Sequence, residues 1–291
     1  MPREIFHTAR GSVNDRPFGL RSRDTEPSEE APIPYEAELG LAHELADLAD
    51  DISMRLFRGT FEVRLKPDQS PVTEADESIE AALRERLSRV FPADAVLGEE
   101  GGPGGAASSS RTWIIDPIDG TKNFTHGIQI WGTLIALAVN GVPVVGVASA
   151  PALGERYHAA RGGGAAMNGK TIRVSRESDL SRATLCSSGL YTFQRSGGHW
   201  ERPYGELVRE VARNRSFGDF WGHMLVARGS VEAMAEPALR IWDWAALQVI
   251  VEEAGGRVTQ LDGSTPADGG AVLSTNGHLH DELLARFATV A

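Results

Sequence analysis

The run Trp113-Ile-Ile-Asp-Pro-Ile-Asp-Gly-Thr-Lys-Asn-Phe124 constrains this chain more than any other stretch. Trp113, Ile114 and Ile115 read as a short buried strand. Pro117 is expected to end it, because proline cannot donate to a sheet ladder. The residue before a proline is pushed toward an extended conformation, and here that residue is Asp116. Asp119-Gly120 is a turn signal, so the chain should curl back directly after the strand. Asp116, the Ile118 carbonyl and Asp119 can then face one point, a cluster of hard oxygens suited to Mg²⁺. Thr121 and the amides after it are left pointing at the same place. Asp, Pro and Gly are also ordinary turn residues, so the run by itself fits a plain turn as well.

Three further segments shift the balance. Val96-Leu97-Gly98-Glu99-Glu100-Gly101-Gly102 is another apolar run closed by acids, which repel each other and are poorly explained by packing; a solvated loop is the alternative. Trp242-Asp243 opens a helix that stops at Gly255-Gly256, with Leu247, Ile250 and Val251 on its apolar face and Asp243 readable as its N-cap. Thr73 and Asp76 stand at the spacing of a capping box, with Asp in place of the usual Glu or Gln.

In order and in chemistry, Gly98-Glu99-Glu100, Asp116 to Thr121 and Trp242-Asp243 through Ala254-Gly255-Gly256 resemble the inositol-monophosphatase family. The resemblance covers roughly residues 36–288. It implies an α/β fold, a layered αβαβα sandwich, and phosphomonoester hydrolysis by a metal-activated water. It also implies a ligand set: Glu99, Asp116 and the Ile118 carbonyl for one Mg²⁺, and Asp116, Asp119 and Asp243 for a second. A weaker third ion would use Glu99 and, through water, Asp76. Thr121 and Asp76, with Glu99 in support, would orient and deprotonate the attacking water. The phosphate would sit on the Gly120 and Thr121 amides beside Asp243. Lys66 and Lys122 either balance charge there or are simply solvated. Without cations such a cluster is costly, since carboxylates sharing a cleft raise one another's pKa.

Within the family the histidinol-phosphatase branch is the nearer match. Pro71-Val-Thr73, Asp119-Gly-Thr-Lys-Asn-Phe124, Gly146-Val-Ala-Ser-Ala-Pro151 and Gly218-Asp219-Phe220 before Glu236-Pro237 carry that resemblance. Glu236 occupies the position from which the inositol enzymes contact sugar hydroxyls. With Asp219 it would put two acids around the organic half of the substrate, which suits the ammonium of histidinol phosphate. Asp219 reads equally as the cap of a helix starting at Phe220. The alternatives are an inositol-1-monophosphatase or broader small-molecule phosphatase and a non-catalytic, metal-binding regulatory homologue. Relatives that cleave 3′-phosphoadenosine phosphate fit less well, because an acidic pocket repels their extra phosphate.

Composition bounds the rest. A formal net charge of −11 over 291 residues argues against a nucleic-acid surface. The single Cys186 excludes an intrachain disulfide framework and fits a reducing, cytoplasmic setting. No apolar stretch approaches the ~20 residues of a membrane span. Family members are commonly homodimers, and the partner expected here is a small phosphate ester. Residues 1–34, rich in Arg, Asp, Glu, Pro and Ser, read as a mobile extension. An N-terminal subdomain over 35–180 would carry most metal ligands, and a second over 181–291 would supply Asp243 and the substrate pocket. Helices are expected from Tyr35 (Leu39, Ala42, His43, Ala46 and Ala49 on one side), over 76–90, and from Trp221. Strands are expected over 133–140, 143–149, 155–160, 183–187 and 231–235, the first two joined by Asn140-Gly141, a hairpin signal. The glycines of 101–105 and 162–164 mark exposed loops and match no nucleotide-binding phosphate loop.

Overall fold

A computed structural model describes residues 35–59, 62–66 and 71–288, so the extension expected over 1–34 and the segment 67–70 lie outside the described residues. Alternating side chains decide the layering. In the strand Arg111–Asp119, Trp113 and Ile115 face one core and Ile114 faces another. In Gly132–Val139, Ile135 and Leu137 join the first core while Leu134, Ala136 and Ala138 join the second. A strand buried on both faces has no polar alternation, and its sheet must be covered twice.

That sheet has eight strands, in the order Lys170–Thr171, Gly164–Met167, Glu155–Ala160, Val142–Ala150, Gly132–Val139, Arg111–Asp119, Ala95–Gly98 and Gly102–Gly105. All neighbours are antiparallel except Ala95–Gly98 beside Arg111–Asp119. The helices Glu36–Leu56 and Glu74–Val90 cover one face through Leu45, Ala49, Ile79 and Leu83. The helices Asp219–Ala227 and Ile241–Glu253 cover the other. A second sheet, ordered Arg213–Arg215, Thr184–Cys186, Ala233–Leu239, Gly270–Thr275 and Arg257–Thr259, lies beyond them. Its outer face carries Leu190–Arg195, Glu201–Leu207 and His280–Ala288, through Phe193, Leu207 and Phe287. The result is the expected αβαβα sandwich.

Several local expectations are corrected. Pro117 does not end its strand: pairing with Gly132–Val139 runs on to Asp119, and the register shifts between Asp116 and Asp119. A bulge of this kind leaves residues out of the ladder, so the missing proline N–H costs no bond, and the local bend re-aims the flanking side chains. Gly102–Gly105 is an edge strand rather than a loop. A Cβ on Gly104 would lie 2.9 Å from Arg84 Nη1, so glycine leaves that guanidinium its place against the strand. The helix expected to open at Asp243 begins at Ile241, and it is buried all round rather than on one face, because it is clamped between two sheets. The chain packs there so closely that a Cβ on Gly146 would meet the Ala246 carbonyl at 2.3 Å. The Asn140-Gly141 hairpin forms as expected, with φ 51° and 78°.

Candidate active site

The bulge at the end of Arg111–Asp119 brings two carboxylates toward the start of the central helix. Ligand oxygens of Asp116, Asp119 and Asp243 all lie within 4.8 Å of one another. Each acid is held in place. Asp243 is the third residue of its helix, and its Oδ2 accepts the Arg240 N–H at 2.7 Å. Asp119 Oδ2 accepts the Phe220 N–H at 2.7 Å. Asp116 is buried, and its Oδ1 has no hydrogen-bond partner among the described residues.

The other expected residues are held by contacts of their own. Asp76 closes the predicted capping box, accepting from Thr73 N at 2.8 Å and Thr73 Oγ1 at 2.6 Å. The Thr121 hydroxyl stands 3.0 Å from the Ile118 carbonyl oxygen and 3.4 Å from Asp76 Oδ1. Glu99 and Glu100 are drawn together by Lys66, whose Nζ donates to Glu99 Oε1 at 2.6 Å and Glu100 Oε1 at 2.8 Å. Burial works against the Lys66 ammonium, yet its hydrogen bonds to Glu100 and Glu99 carry its pKa above the ordinary lysine value.

The acids carry the electrostatic signature of a cation site. Burial, then the charges of Glu99 and Asp119, hold the Asp116 carboxyl well above the usual carboxylate range. Burial and Asp219 do the same to Asp119. Burial pushes Asp243 up to about 8, Asp76 to about 6 and Glu100 to about 7. Hard oxygens converging on one point, with a buried oxygen left unpartnered, fit a divalent cation such as Mg²⁺. With positive charge among them, all can ionise at neutral pH.

A cleft of about 570 Å³ opens beside the trio, lined by Glu99, Gly120, Thr121, Asn123, Asp219 and Asp243 among others. Asp219 does not cap its helix through its side chain; it is the first helical residue, and its carboxylate takes a hydrogen bond from Asn123 instead. Glu236, on the strand Ala233–Leu239, is 4% exposed and lies beneath the cleft rather than among its lining residues. Its Oε2 is 3.6 Å from His223 Nε2, and burial pushes its pKa up to about 8. Lys122 lines the cleft wall.

The sequence reading missed one residue that builds the site. Glu80, 3% exposed, accepts the N–H groups of Glu100 at 2.8 Å and Gly101 at 2.8 Å and the Arg84 Nε–H at 2.7 Å, and so fixes the loop that presents Glu99. The available signal was a glutamate on the same helix face as Ile79 and Leu83, with an arginine four residues on. Glutamate is rarely buried unless paired.

Known proteins resemble this chain over most of its length. The inositol monophosphatase family model matches residues 36–290. A histidinol-phosphatase of Mycobacterium tuberculosis is 48% identical over 256 residues, covering 86% of this chain and 97% of that protein. A histidinol-phosphatase of Streptomyces coelicolor is 45% identical, covering 86% of this chain and 96% of that one. Among solved structures, an inositol monophosphatase from Zymomonas mobilis superposes with a TM-score of 0.79 at 32% identity, over 88% of this chain and 100% of that chain. Fold and relatives together define a metal-dependent phosphoric monoester hydrolase. The chain belongs to the inositol monophosphatase family.

Proposed function

We propose that this enzyme hydrolyses L-histidinol phosphate to L-histidinol and phosphate, using two or three Mg²⁺ ions. The carrying observation is the acid at the organic end of the cleft. Asp219 lines it, and its pKa is raised to about 7, first by burial and then by the charge of Glu236 beneath it. Two acids there favour an ester bearing a cationic amine, and histidinol phosphate bears one. The histidinol-phosphatases from M. tuberculosis and S. coelicolor support the same substrate.

Asp116, Asp119, Asp243, Glu99 and the Ile118 carbonyl are the proposed cation ligands, with Asp76 reaching a weaker position through water. Divalent cations bound by these residues would supply charge to offset the phosphate and would lower the pKa of a bound water. Thr121, 3.4 Å from Asp76 Oδ1, gives the attacking water an acceptor already tied to a carboxylate. Asp76 accepts the proton along that line, with Glu99 in support. The Gly120 and Thr121 amides hold the phosphate beside Asp243, at the mouth of the cleft. The protein is proposed to work as a cytoplasmic homodimer with no nucleic-acid partner.

Hydrolysis of an inositol monophosphate is the second reading, supported by the likeness to the Zymomonas enzyme. Phosphate release in Mg²⁺ from L-histidinol phosphate and from myo-inositol 1-phosphate separates the two. A higher kcat/KM for histidinol phosphate is expected; preference for the inositol ester would overturn the substrate assignment.

A further inference from the structure

Asn123 lies inside the metal motif, but the cation ligands do not use it. Its Nδ2 is 2.9 Å from Asp219 Oδ2 and 2.8 Å from the Ile130 carbonyl oxygen. Both neighbours are acceptors, so the NH₂ end of the amide must face them. Asp219 itself has a left-handed backbone, φ 51°, a conformation uncommon outside glycine that persists where the surroundings over-determine it.

Three contacts do so. Asp119 Oδ2 binds the N–H of the next residue, Phe220. Gly120, at φ 81°, leaves room: a Cβ there would lie 3.0 Å from the Ile130 carbonyl oxygen and 3.3 Å from Asp219 Oδ2. Asn123 is the third, and among the described residues no other side chain donates to the Asp219 carboxylate. The second oxygen, Oδ1, has no hydrogen-bond partner among the described residues, and Asp219 lines the cleft.

We infer that Asn123 is a positioning residue for substrate selection: it anchors one oxygen of Asp219 so that the other is presented to a cationic amine on the organic half of the phosphate ester. This rests on the amine-ester reading given above. An unanchored aspartate in a left-handed position would keep its charge but lose its direction, and direction is what a charge-assisted hydrogen bond needs.

The test is steady-state kinetics in saturating Mg²⁺ on wild type, Asn123→Ala, Asp219→Asn and the double variant, with L-histidinol phosphate and myo-inositol 1-phosphate. For Asn123→Ala, KM for histidinol phosphate is expected to rise about tenfold, the loss of one hydrogen bond to a charged group. That rise should exceed both the fall in kcat and the rise in KM for the inositol ester. Asp219→Asn should behave alike, and adding Asn123→Ala to it should cost little more, since both act through one contact. Equal rises for the two esters, additive losses, or a loss confined to kcat would overturn the inference. A wild type that prefers histidinol phosphate alongside such a result removes only the role of Asn123. A wild type with no such preference removes the substrate reading and this inference together. Should the alanine variant not fold, Asn123→Ser keeps a donor at shorter reach and is expected to give an intermediate KM, with the same outcomes deciding.

Discussion

Asp119 Oδ2 accepts the backbone N–H of Phe220 at 2.7 Å, across 101 positions of sequence. One carboxylate thus belongs to the acidic trio and also satisfies an orphan donor at the start of the helix Asp219–Ala227. A helix that begins on the cleft wall is therefore tied to the group proposed to bind the cation. The geometry of the acidic trio and that of the cleft wall share one carboxylate.

Removing one member of the trio has opposite effects on activity and on metal-free stability. Asp116→Asn is expected to lower kcat at least about 100-fold, the scale seen when a preorganised electrostatic group is lost. In EDTA the same variant should melt above wild type, because a buried carboxylate repelled by Glu99, Asp119 and Asp243 has been neutralised. Its melting temperature should no longer rise with added Mg²⁺. Thermal shift with and without Mg²⁺ checks both statements, and a metal-dependent shift equal to wild type would sink the ligand assignment.

The same repulsion fixes a pH dependence. Asp243 and Glu236 have folded pKa values pushed up to about 8, above their unfolded values. The native state therefore holds protons that the unfolded chain has released, so stability falls as pH rises until the folded pKa is passed. His158, His223 and His280 have lowered pKa values, chiefly from burial, and oppose this only below about pH 6.5, where the unfolded chain gains protons first. Between pH 6.5 and 8 the metal-free protein is expected to lose of the order of 1–3 kcal/mol. Saturating Mg²⁺ should flatten the slope. Denaturant titrations at the two pH values read it directly, and a metal-free stability that rises over this window would contradict the acid cluster as described.

Glu80 acts on the site through backbone. Glu80→Ala strands the Glu100 and Gly101 N–H groups and the Arg84 guanidinium, and should cost about 3 kcal/mol. Glu80→Gln keeps an acceptor and should cost less. In both, Glu99 loses its anchored loop, so the Mg²⁺ concentration giving half-maximal rate is expected to rise. Calorimetric Mg²⁺ titration of Glu80→Gln matching wild type would show that the loop holds its shape without this carboxylate.

Glu236 contributes at a distance. Glu236→Gln removes a buried ionisable carboxyl beneath Asp219 and, above about pH 8 where that carboxyl is charged, should raise KM for histidinol phosphate a few-fold, more than for the inositol ester. Equal changes for the two esters would mean that Glu236 does not shape the potential felt by the amine.

How far the site can be read from the chain depends on sequence distance. Asp116, Ile118, Asp119 and Thr121 lie within six consecutive residues, so their closeness is legible in the chain itself. The Thr73–Asp76 box is equally local, and it forms as expected. Pro117 misled because the bulge that absorbs it depends on the neighbouring strand Gly132–Val139, a pairing the dipeptide cannot announce. The glycines of 102–105 misled for a related reason: they pair with Ala95–Gly98, a non-local partner, and Gly104 leaves room there for Arg84.

The sequence by itself determined the parts whose causes are short-ranged: the carboxylate motif, the Thr73–Asp76 capping box and the Asn140-Gly141 hairpin. Its motif order also sufficed for the family. Only the tertiary structure decided that Asp243 meets Asp116 and Asp119, that Glu80 holds the Glu99 loop, and that Asn123 anchors Asp219. Those contacts join residues from tens to more than a hundred positions apart, and their geometry is set by two packed sheets and the helices clamped between them, which no local propensity encodes.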